Sequence, residues 1–537
     1  MPSCGEVLVK LLQAYGVDTV FGIPGNHTVQ LYRGLQQSSI RHVTPRHEQG
    51  AGVMADGYAR ASAKPGVCFL ISGPGLTNAL TPMMQALADS VPMLVISAVA
   101  ARKDLGMGEG RLHELPDQQA LASQCTRFSH TLMRPEELPR VLARAFAVFN
   151  SERPGPVHIE LPLDVITADA GEVETRPWAI PARPGADPTA MRDAAALLAG
   201  AQRPLMIIGG GARHAGAEVL TVAEILDMPV LNTVNAKGVL PASHELAVGG
   251  SPSLPCLRKA LADADVILAV GTEFGETDYD MLFVGELELP GKLIRIDIDA
   301  RQLARNVEPA IAIAGDAALA LQSLCGQLVN AMERGGAART ELLRGQIRAE
   351  EHYHAEFDKL FATIRAALPD LVLVGDSTLP TYYAVWQYET EAPRRYFHSA
   401  TGGGTLGYAI PAALGAKLGR PNKPVAALIG DGSAQFTLTE LAAGVEAQLP
   451  VAVMVWNNQG YREIKQGMIA AEIEPVGVDI FTPDLLATAE GLGCAVQRAA
   501  GLDELKAALQ GAQQREVPTL IELRQEDFIT LPAGQWY

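Results

Sequence analysis

Short apolar runs recur along the chain, each followed by a stretch in which apolar positions return at helical spacing. Runs at residues 19–22, 67–72, 93–98 and 157–161 read as buried strands, and the segments between them read largely as helices. A polar, proline-rich stretch at 170–188 reads as a linker. The alternation resumes at 205–208, 266–270 and 293–298 and fades after Asp316. Charged, glycine-containing sequence at 333–351 then leads into a third series, with runs at 371–374, 425–429, 451–456 and 520–523. Uninterrupted apolar strands alternating with helices predict parallel sheets covered on both faces. The expected fold class is α/β, with three doubly wound parallel-sheet domains over residues 1–168, 188–332 and 353–530.

The first and third series echo each other. Leu70-Ile71-Ser72-Gly73-Pro74-Gly75 precedes a helical stretch and then Val91-Pro92; Leu428-Ile429-Gly430-Asp431-Gly432 precedes a helical stretch, expected over 434–447, and then Leu449-Pro450. Nearly equal intervals between turn and next strand fit two related domains, although such likeness between βαβ units also arises by chance.

Within the third series, Gly430-Asp431-Gly432-Ser433 ends one strand and Asn457-Asn458 ends the next. Asp431 and Asn458 are therefore expected side by side at the carboxyl ends of neighbouring parallel strands, where doubly wound sheets bind ligands. Flanking glycines let backbone N–H groups approach a phosphate, while Asp and Asn oxygens suit Mg²⁺ or Ca²⁺. Taken singly, each motif is also ordinary turn chemistry.

The chain has 537 residues, too many for one core, with 48% hydrophobic and 19% charged residues. A net charge of −17 argues against non-specific binding to nucleic acid or anionic membranes, and leaves a small anionic substrate open. The six cysteines are scattered without a CxxC pair, which fits a reduced, cytoplasmic protein better than a disulfide or metal framework. No secretory leader is expected, and no apolar run reaches membrane-spanning length; the longest, at 92–101, reads as a buried strand.

Together, the GDG and NN motifs resemble the metal-diphosphate anchor of thiamine-diphosphate enzymes. The run from Phe21-Gly22-Ile23-Pro24-Gly25 through Arg46-His47-Glu48 to Gly57-Tyr58-Ala59-Arg60, with Ser72-Gly73-Pro74-Gly75 and Thr77-Asn78, is similar to the amino-terminal domain of the acetolactate synthase and benzoylformate decarboxylase group. The resemblance spans essentially the whole chain. It implies a pyrimidine-binding first domain, a middle domain and a diphosphate-binding third domain. It further implies that Glu48 bonds N1′ of the cofactor's pyrimidine, that Leu406 props the cofactor bent, and that the Gly404 carbonyl receives the 4′-amino group. Without it, Glu48 reads as a first-turn glutamate stabilised by the helix dipole, and Leu406 as core.

The same resemblance assigns Pro24, Asn78, Thr378, Gly432, Ser433 and Tyr461 to cofactor binding, and Asp431, Asn458 and the Gly460 carbonyl to Mg²⁺, or Ca²⁺ in its place. Flavin-binding relatives exist, but here Gly209-Gly210-Gly211-Ala212 does not complete GxGxxG, because His214 takes the last position. Glu273 and Glu276 stand where those relatives commonly carry arginine. FAD is not expected, and the middle domain reads as mainly structural. The family also implies a homodimer or homotetramer, with Glu48 of one chain and Asp431 of another meeting one cofactor.

In this group, decarboxylation of a 2-keto acid is followed either by protonation, releasing an aldehyde, or by capture of a second keto acid. His27 and His113 are candidates for moving that proton; each also reads as a turn histidine bonded to backbone, His113 more so than His27. Glu463 is a candidate grip for a cationic substrate tail, which a guanidinium would satisfy with two bonds, or else a solvated helix charge paired near Lys465. Glu109, Glu114 and Asp117 could contribute. The runs 21–27, 44–50 and 105–116 resemble 5-guanidino-2-oxopentanoate (2-ketoarginine) decarboxylases, which implies formation of 4-guanidinobutanal and CO₂. An acetolactate synthase-like carboligase and a benzoylformate-type decarboxylase remain alternatives. A non-catalytic subunit that keeps the fold is disfavoured by the intact Glu48, Asp431 and Asn458. A nicotinamide oxidoreductase is disfavoured by the missing GxGxxG.

Overall fold

Each apolar run expected to be a strand forms one and pairs in parallel with its neighbours. The computed structural model describes residues 1–328, 332–350 and 353–529; position 530, the expected end of the third domain, and Glu351 lie outside the described residues. The first sheet runs in the order Arg41–Val43, Thr19–Gly22, Gly66–Leu70, Met93–Val99, Pro156–Pro162, Phe128–Thr131. The middle sheet runs Ile311–Ala314, Lys292–Asp297, Val266–Val270, Leu205–Ile208, Val230–Asn232. In the third, Val372–Gly375, Val425–Gly430, Ala452–Asn457, Thr519–Arg524 and Ala495–Ala499 lie side by side. The first and third sheets interchange their last two strands in the same way, so the echo seen in the sequence extends to topology.

The chain gathers into two compact units: one comprises residues 1–182, 367–377 and 402–527, and the other is built around 183–366 and 378–401. Within the first unit, helix Glu48–Ser62 crosses helix Ala409–Gly419 at backbone contact. Small residues make this possible. A Cβ on Gly57 would sit 2.0 Å from the Ala412 carbonyl oxygen, and one on Gly415 would sit 1.9 Å from that of Met54. The obstructing atoms are backbone and cannot rotate away. Gly57→Ala is therefore expected to cost ~3 kcal/mol, the upper end for overpacking, read as a lowered unfolding midpoint. An unchanged midpoint would contradict this packing.

One expectation needs correction, and one element was not foreseen. The charged stretch at 333–351, read only as leading into the third series, contains a helix, Gly336–Ile347, whose buried positions are Gly336, Thr340, Leu343 and Ile347. The helix expected over 434–447 is instead two, Asp431–Ala434 and Glu440–Glu446, separated by a turn. There the Thr437 hydroxyl donates to the Gly407 carbonyl at 2.8 Å. In the middle domain the glycine run serves close backbone packing, since a Cβ on Gly209 would meet the Gly271 carbonyl at 2.2 Å. The six cysteines are free thiols. No helix among the described residues is long and apolar enough to cross a membrane.

Candidate active site

In an open parallel sheet, chain segments diverge where strand order reverses, leaving a crevice at the carboxyl ends. In the first sheet that point lies between Thr19–Gly22 and Gly66–Leu70. The loops leaving these strands carry His27 and Ser72, whose Nδ1 and Oγ are 2.6 Å apart. His113 joins them from the 105–116 loop, its ring centroid 5.3 Å from that of His27. It is a non-glycine residue at φ +62°, and its Nδ1 is buried with no hydrogen-bond partner among the described residues. A Cβ on Gly73 would lie 2.5 Å from its carbonyl oxygen, so the two loops pack against each other. Burial, and then the neighbouring His113, hold the His27 imidazole below its ordinary pKa.

Glu48 opens helix Glu48–Ser62, with His47 as its N-cap. Its Oε2 accepts a hydrogen bond from Asn78 Nδ2 at 2.9 Å, so two residues expected at the cofactor meet directly. Pro24 is exposed in the loop after the first strand.

In the third sheet the corresponding crevice lies between Val372–Gly375 and Val425–Gly430. Asp431 is 1% exposed, and its carboxylate accepts the N–H groups of Asn458 (3.3 Å) and Gly460 (3.0 Å) and the Thr482 hydroxyl (2.9 Å). Burial raises its pKa above the usual carboxylate range against those bonds. The inward end of the Asn458 amide lies 3.1 Å from the Gly460 carbonyl oxygen and 3.2 Å from Asp431 Oδ1. With its NH₂ group turned inward the amide donates to both, and with its oxygen inward it would share a cation with them. An all-oxygen set of this kind suits Mg²⁺ or Ca²⁺, and a positive charge there would favour the ionised Asp431. Gly460 has φ +132°, and a Cβ on it would lie 2.6 Å from the Val478 carbonyl oxygen, so glycine is required. The Tyr461 ring lies over Gly432, 2.7 Å from where a Cβ would be.

Ser433 donates from its hydroxyl to Asp376 at 2.6 Å and accepts the Gly407 N–H at 2.8 Å. Asp376, 1% exposed, also accepts the N–H of Ala409. This ties the strand ends to the Gly402–Tyr408 loop, which turns through Gly404 at φ +64° and Gly407 at φ +74° and leaves Leu406 half-buried. The loop is anchored a second time. Thr405 donates to Gln85 (3.3 Å), Gln85 to Asp89 (2.6 Å), and the buried Arg60 bonds Asp89 and Asp56 at 2.6 Å each. Tyr408 donates to Asp56. Gln85 shares helix Pro74–Ala88 with Asn78, so the Gly402–Tyr408 loop and the partner of Glu48 rest on one element.

Thr378, nearly buried, is the N-cap of helix Leu379–Gln387 and belongs to the second unit. Glu463 lies half-buried in the first turn of helix Arg462–Ala470. The other acidic candidates have local partners. Glu114 accepts the N–H groups of Gly108 and Arg111, Glu109 pairs with Arg111, and Asp117 caps helix Gln118–Ser123. Residues that pattern reading overlooked are Ser72, Asp376, Glu440 and Thr482. Asp376 carried a signal, since it ends an apolar strand as Asp431 does; the others meet their partners only in the folded chain.

Three family models match the chain: "Thiamine pyrophosphate enzyme, N-terminal TPP binding domain" over residues 2–121, its central domain over 191–324, and its C-terminal TPP binding domain over 375–523. The chain belongs to the thiamine pyrophosphate enzyme family. By class it is a thiamine-diphosphate-dependent 2-keto acid decarboxylase. Among its relatives is the Pseudomonas aeruginosa protein named "Probable 2-ketoarginine decarboxylase AruI", 46% identical over 535 residues, covering 97% of this chain and 94% of that protein. A Methanocaldococcus jannaschii "Probable acetolactate synthase large subunit" is 31% identical over 96% of this chain and 91% of its own length. The Escherichia coli acetolactate synthase isozyme 1 large subunit is 32% identical over 86% of this chain and 82% of its own.

Proposed function

We propose that the protein decarboxylates 2-ketoarginine (5-guanidino-2-oxopentanoate) non-oxidatively to 4-guanidinobutanal and CO₂. The observation that carries the substrate is the 46% identity, along nearly the full length of both chains, to a relative named for that keto acid. The cofactor supplies a nucleophilic carbon for the keto carbonyl and an electron sink for the departing carboxylate.

The chain's own residues then have separable tasks. Glu48, steadied by Asn78, holds the proton at the pyrimidine N1′. The Gly404 carbonyl would accept from the 4′-amino group of the cofactor, and in the Gly402–Tyr408 loop, called the wedge loop below, Leu406 would pack against it. Asp431, Asn458 and the Gly460 carbonyl hold a divalent cation, with the meeting of the Asn458 amide, the Gly460 carbonyl and the Asp431 carboxylate as support. Gly432, Ser433 and Tyr461 bound the diphosphate, and Pro24 the pyrimidine. His27 and His113 face the reacting end and deliver a proton to the carbon that loses CO₂. Support for this comes from their adjacency and from the buried His113 Nδ1, which has no hydrogen-bond partner among the described residues.

The smallest active unit in this reading is a homodimer, with a tetramer as the alternative and each cofactor between two chains. Exposed apolar side chains flank the wedge loop, Met84 against Gly403 and Phe436 against Gly407, as surfaces a second chain would cover. Sedimentation of the holoenzyme reads the assembly; an active monomer would discard it. The scattered free thiols support a cytoplasmic setting.

A substrate panel tests the assignment. Turnover of 2-ketoarginine should exceed that of pyruvate and benzoylformate. Glu463→Ala should lower kcat/KM for 2-ketoarginine by about 30-fold or more, corresponding to ~2 kcal/mol for a lost charge-assisted pair, while sparing uncharged keto acids. Equal activity on pyruvate, with acetolactate formed, would favour the carboligase reading that the acetolactate synthase relatives support. Unchanged discrimination would remove Glu463 from the site.

A further inference from the structure

We propose that Glu440 is a positioning residue: from the diphosphate-binding module it grips the backbone just before Glu48 and so fixes where that carboxylate meets the pyrimidine. The inference rests on the role of Glu48 given above.

Glu440 is 1% exposed. A carboxylate so buried is costly unless its oxygens are hydrogen-bonded. Here the partners are two peptide groups of the distant turn between strand Arg41–Val43 and helix Glu48–Ser62. The Arg46 N–H is shared between Oε1 (3.1 Å) and Oε2 (3.0 Å), and the His47 N–H donates to Oε1 at 3.0 Å. Position 50 is shaped to admit the same group, because a Cβ on Gly50 would lie 2.2 Å from Oε1.

Consecutive N–H groups converging on one carboxylate fix the orientation of their peptide planes, and Glu48 is the next residue. Its partner Asn78 restrains only the far end of its side chain. The turn Gln435–Thr439, held by Thr437 on Gly407, brings Glu440 inward. The wedge loop and the Glu48 turn are thus referenced to one short segment. Burial raises the Glu440 carboxyl to about 7, against the donated N–H bonds and Arg46, and nearby Glu48 adds to the rise. Such a group would be poor as a mere surface anchor.

The test is a double-mutant cycle on the holoenzyme with Glu440→Gln and Glu48→Gln, alongside amide exchange of the peptide containing Arg46 and His47. Glutamine keeps the size but places an NH₂ group against one of the donors. Glu440→Gln should speed amide exchange at 46–47 at least tenfold. It should also lower kcat ~10–100-fold, as small misplacements of a catalytic group do, with KM and cofactor Kd within about threefold. In the Glu48→Gln background it should change kcat less than about threefold, because the residue acts through Glu48. Should Glu440→Gln fold poorly, Glu440→Asp, which retracts the carboxylate by one methylene, carries the same expectations. An equal kcat loss in both backgrounds, or unchanged exchange, overturns the proposal. Full turnover by Glu48→Gln alone would instead strike the role of Glu48 itself, and this proposal would fall with it.

Discussion

Glu48→Gln is expected to lower kcat on the preferred keto acid by ~10²–10⁴-fold, the range supplied by a positioned acid–base group. Fold and cofactor affinity should be nearly unchanged. The side chain lies half-buried at the start of its helix and accepts one bond from Asn78. Glutamine keeps an oxygen for Asn78 and keeps the helix N-terminus, so little stability is at stake. What it cannot do is hold and release a proton at N1′. A rate loss under tenfold would mean that another group does this.

The second large effect concerns the oxygen set at Asp431. Asp431→Asn should weaken thiamine diphosphate binding at least ~10²-fold at fixed Mg²⁺, since even residues behind metal ligands cost 10–100-fold when changed. Treating wild-type protein with a chelator should release the cofactor, and Mg²⁺ or Ca²⁺ should restore binding. The substitution preserves shape but introduces a second amide beside Asn458. It also removes the negative charge that balances a cation. The Asn458 and Gly460 N–H groups donate to different oxygens, Oδ1 and Oδ2, so asparagine keeps an acceptor for one of them only, and a lowered unfolding midpoint should accompany the loss of affinity. Wild-type affinity in Asp431→Asn, or indifference to chelation, would show that the diphosphate is held without a metal.

How much of this was legible in the sequence follows from the range of the interactions. Buried parallel strands announce themselves locally, because both faces are covered and nearly every residue is apolar: Thr19–Gly22, Leu205–Ile208 and Val266–Val270 have the bounds their largely apolar runs predict. Helix Gly336–Ile347 escaped because two of its buried positions are Gly336 and Thr340, so helical burial leaves no apolar stripe to read. The break before Glu440 escaped because Thr437 meets a carbonyl thirty residues upstream.

The site divides along the same line. Asp431 and Asn458 were placed by strand ends and turn chemistry, and the folded chain brings both to Gly460. The likeness between the first and third sheets could be suspected from two short stretches, whereas the shared interchange of strands needed the structure. Thr482 and Glu440 could not be found in this way. A threonine in a loop and a glutamate in a helix have no signature until partners 51 and 394 residues away come into contact. Glu440 looks like a solvated helix charge in sequence and is among the most buried carboxylates of the first unit in the structure.

The most direct test follows deuterium exchange at C2 of bound thiamine diphosphate, with Mg²⁺ present, in wild-type protein and in Glu48→Gln. Wild-type protein should exchange this proton ~10²–10⁴-fold faster than the variant, whose rate should approach that of free cofactor. Equal rates in the two proteins would contradict the account, because cofactor activation would then owe nothing to Glu48.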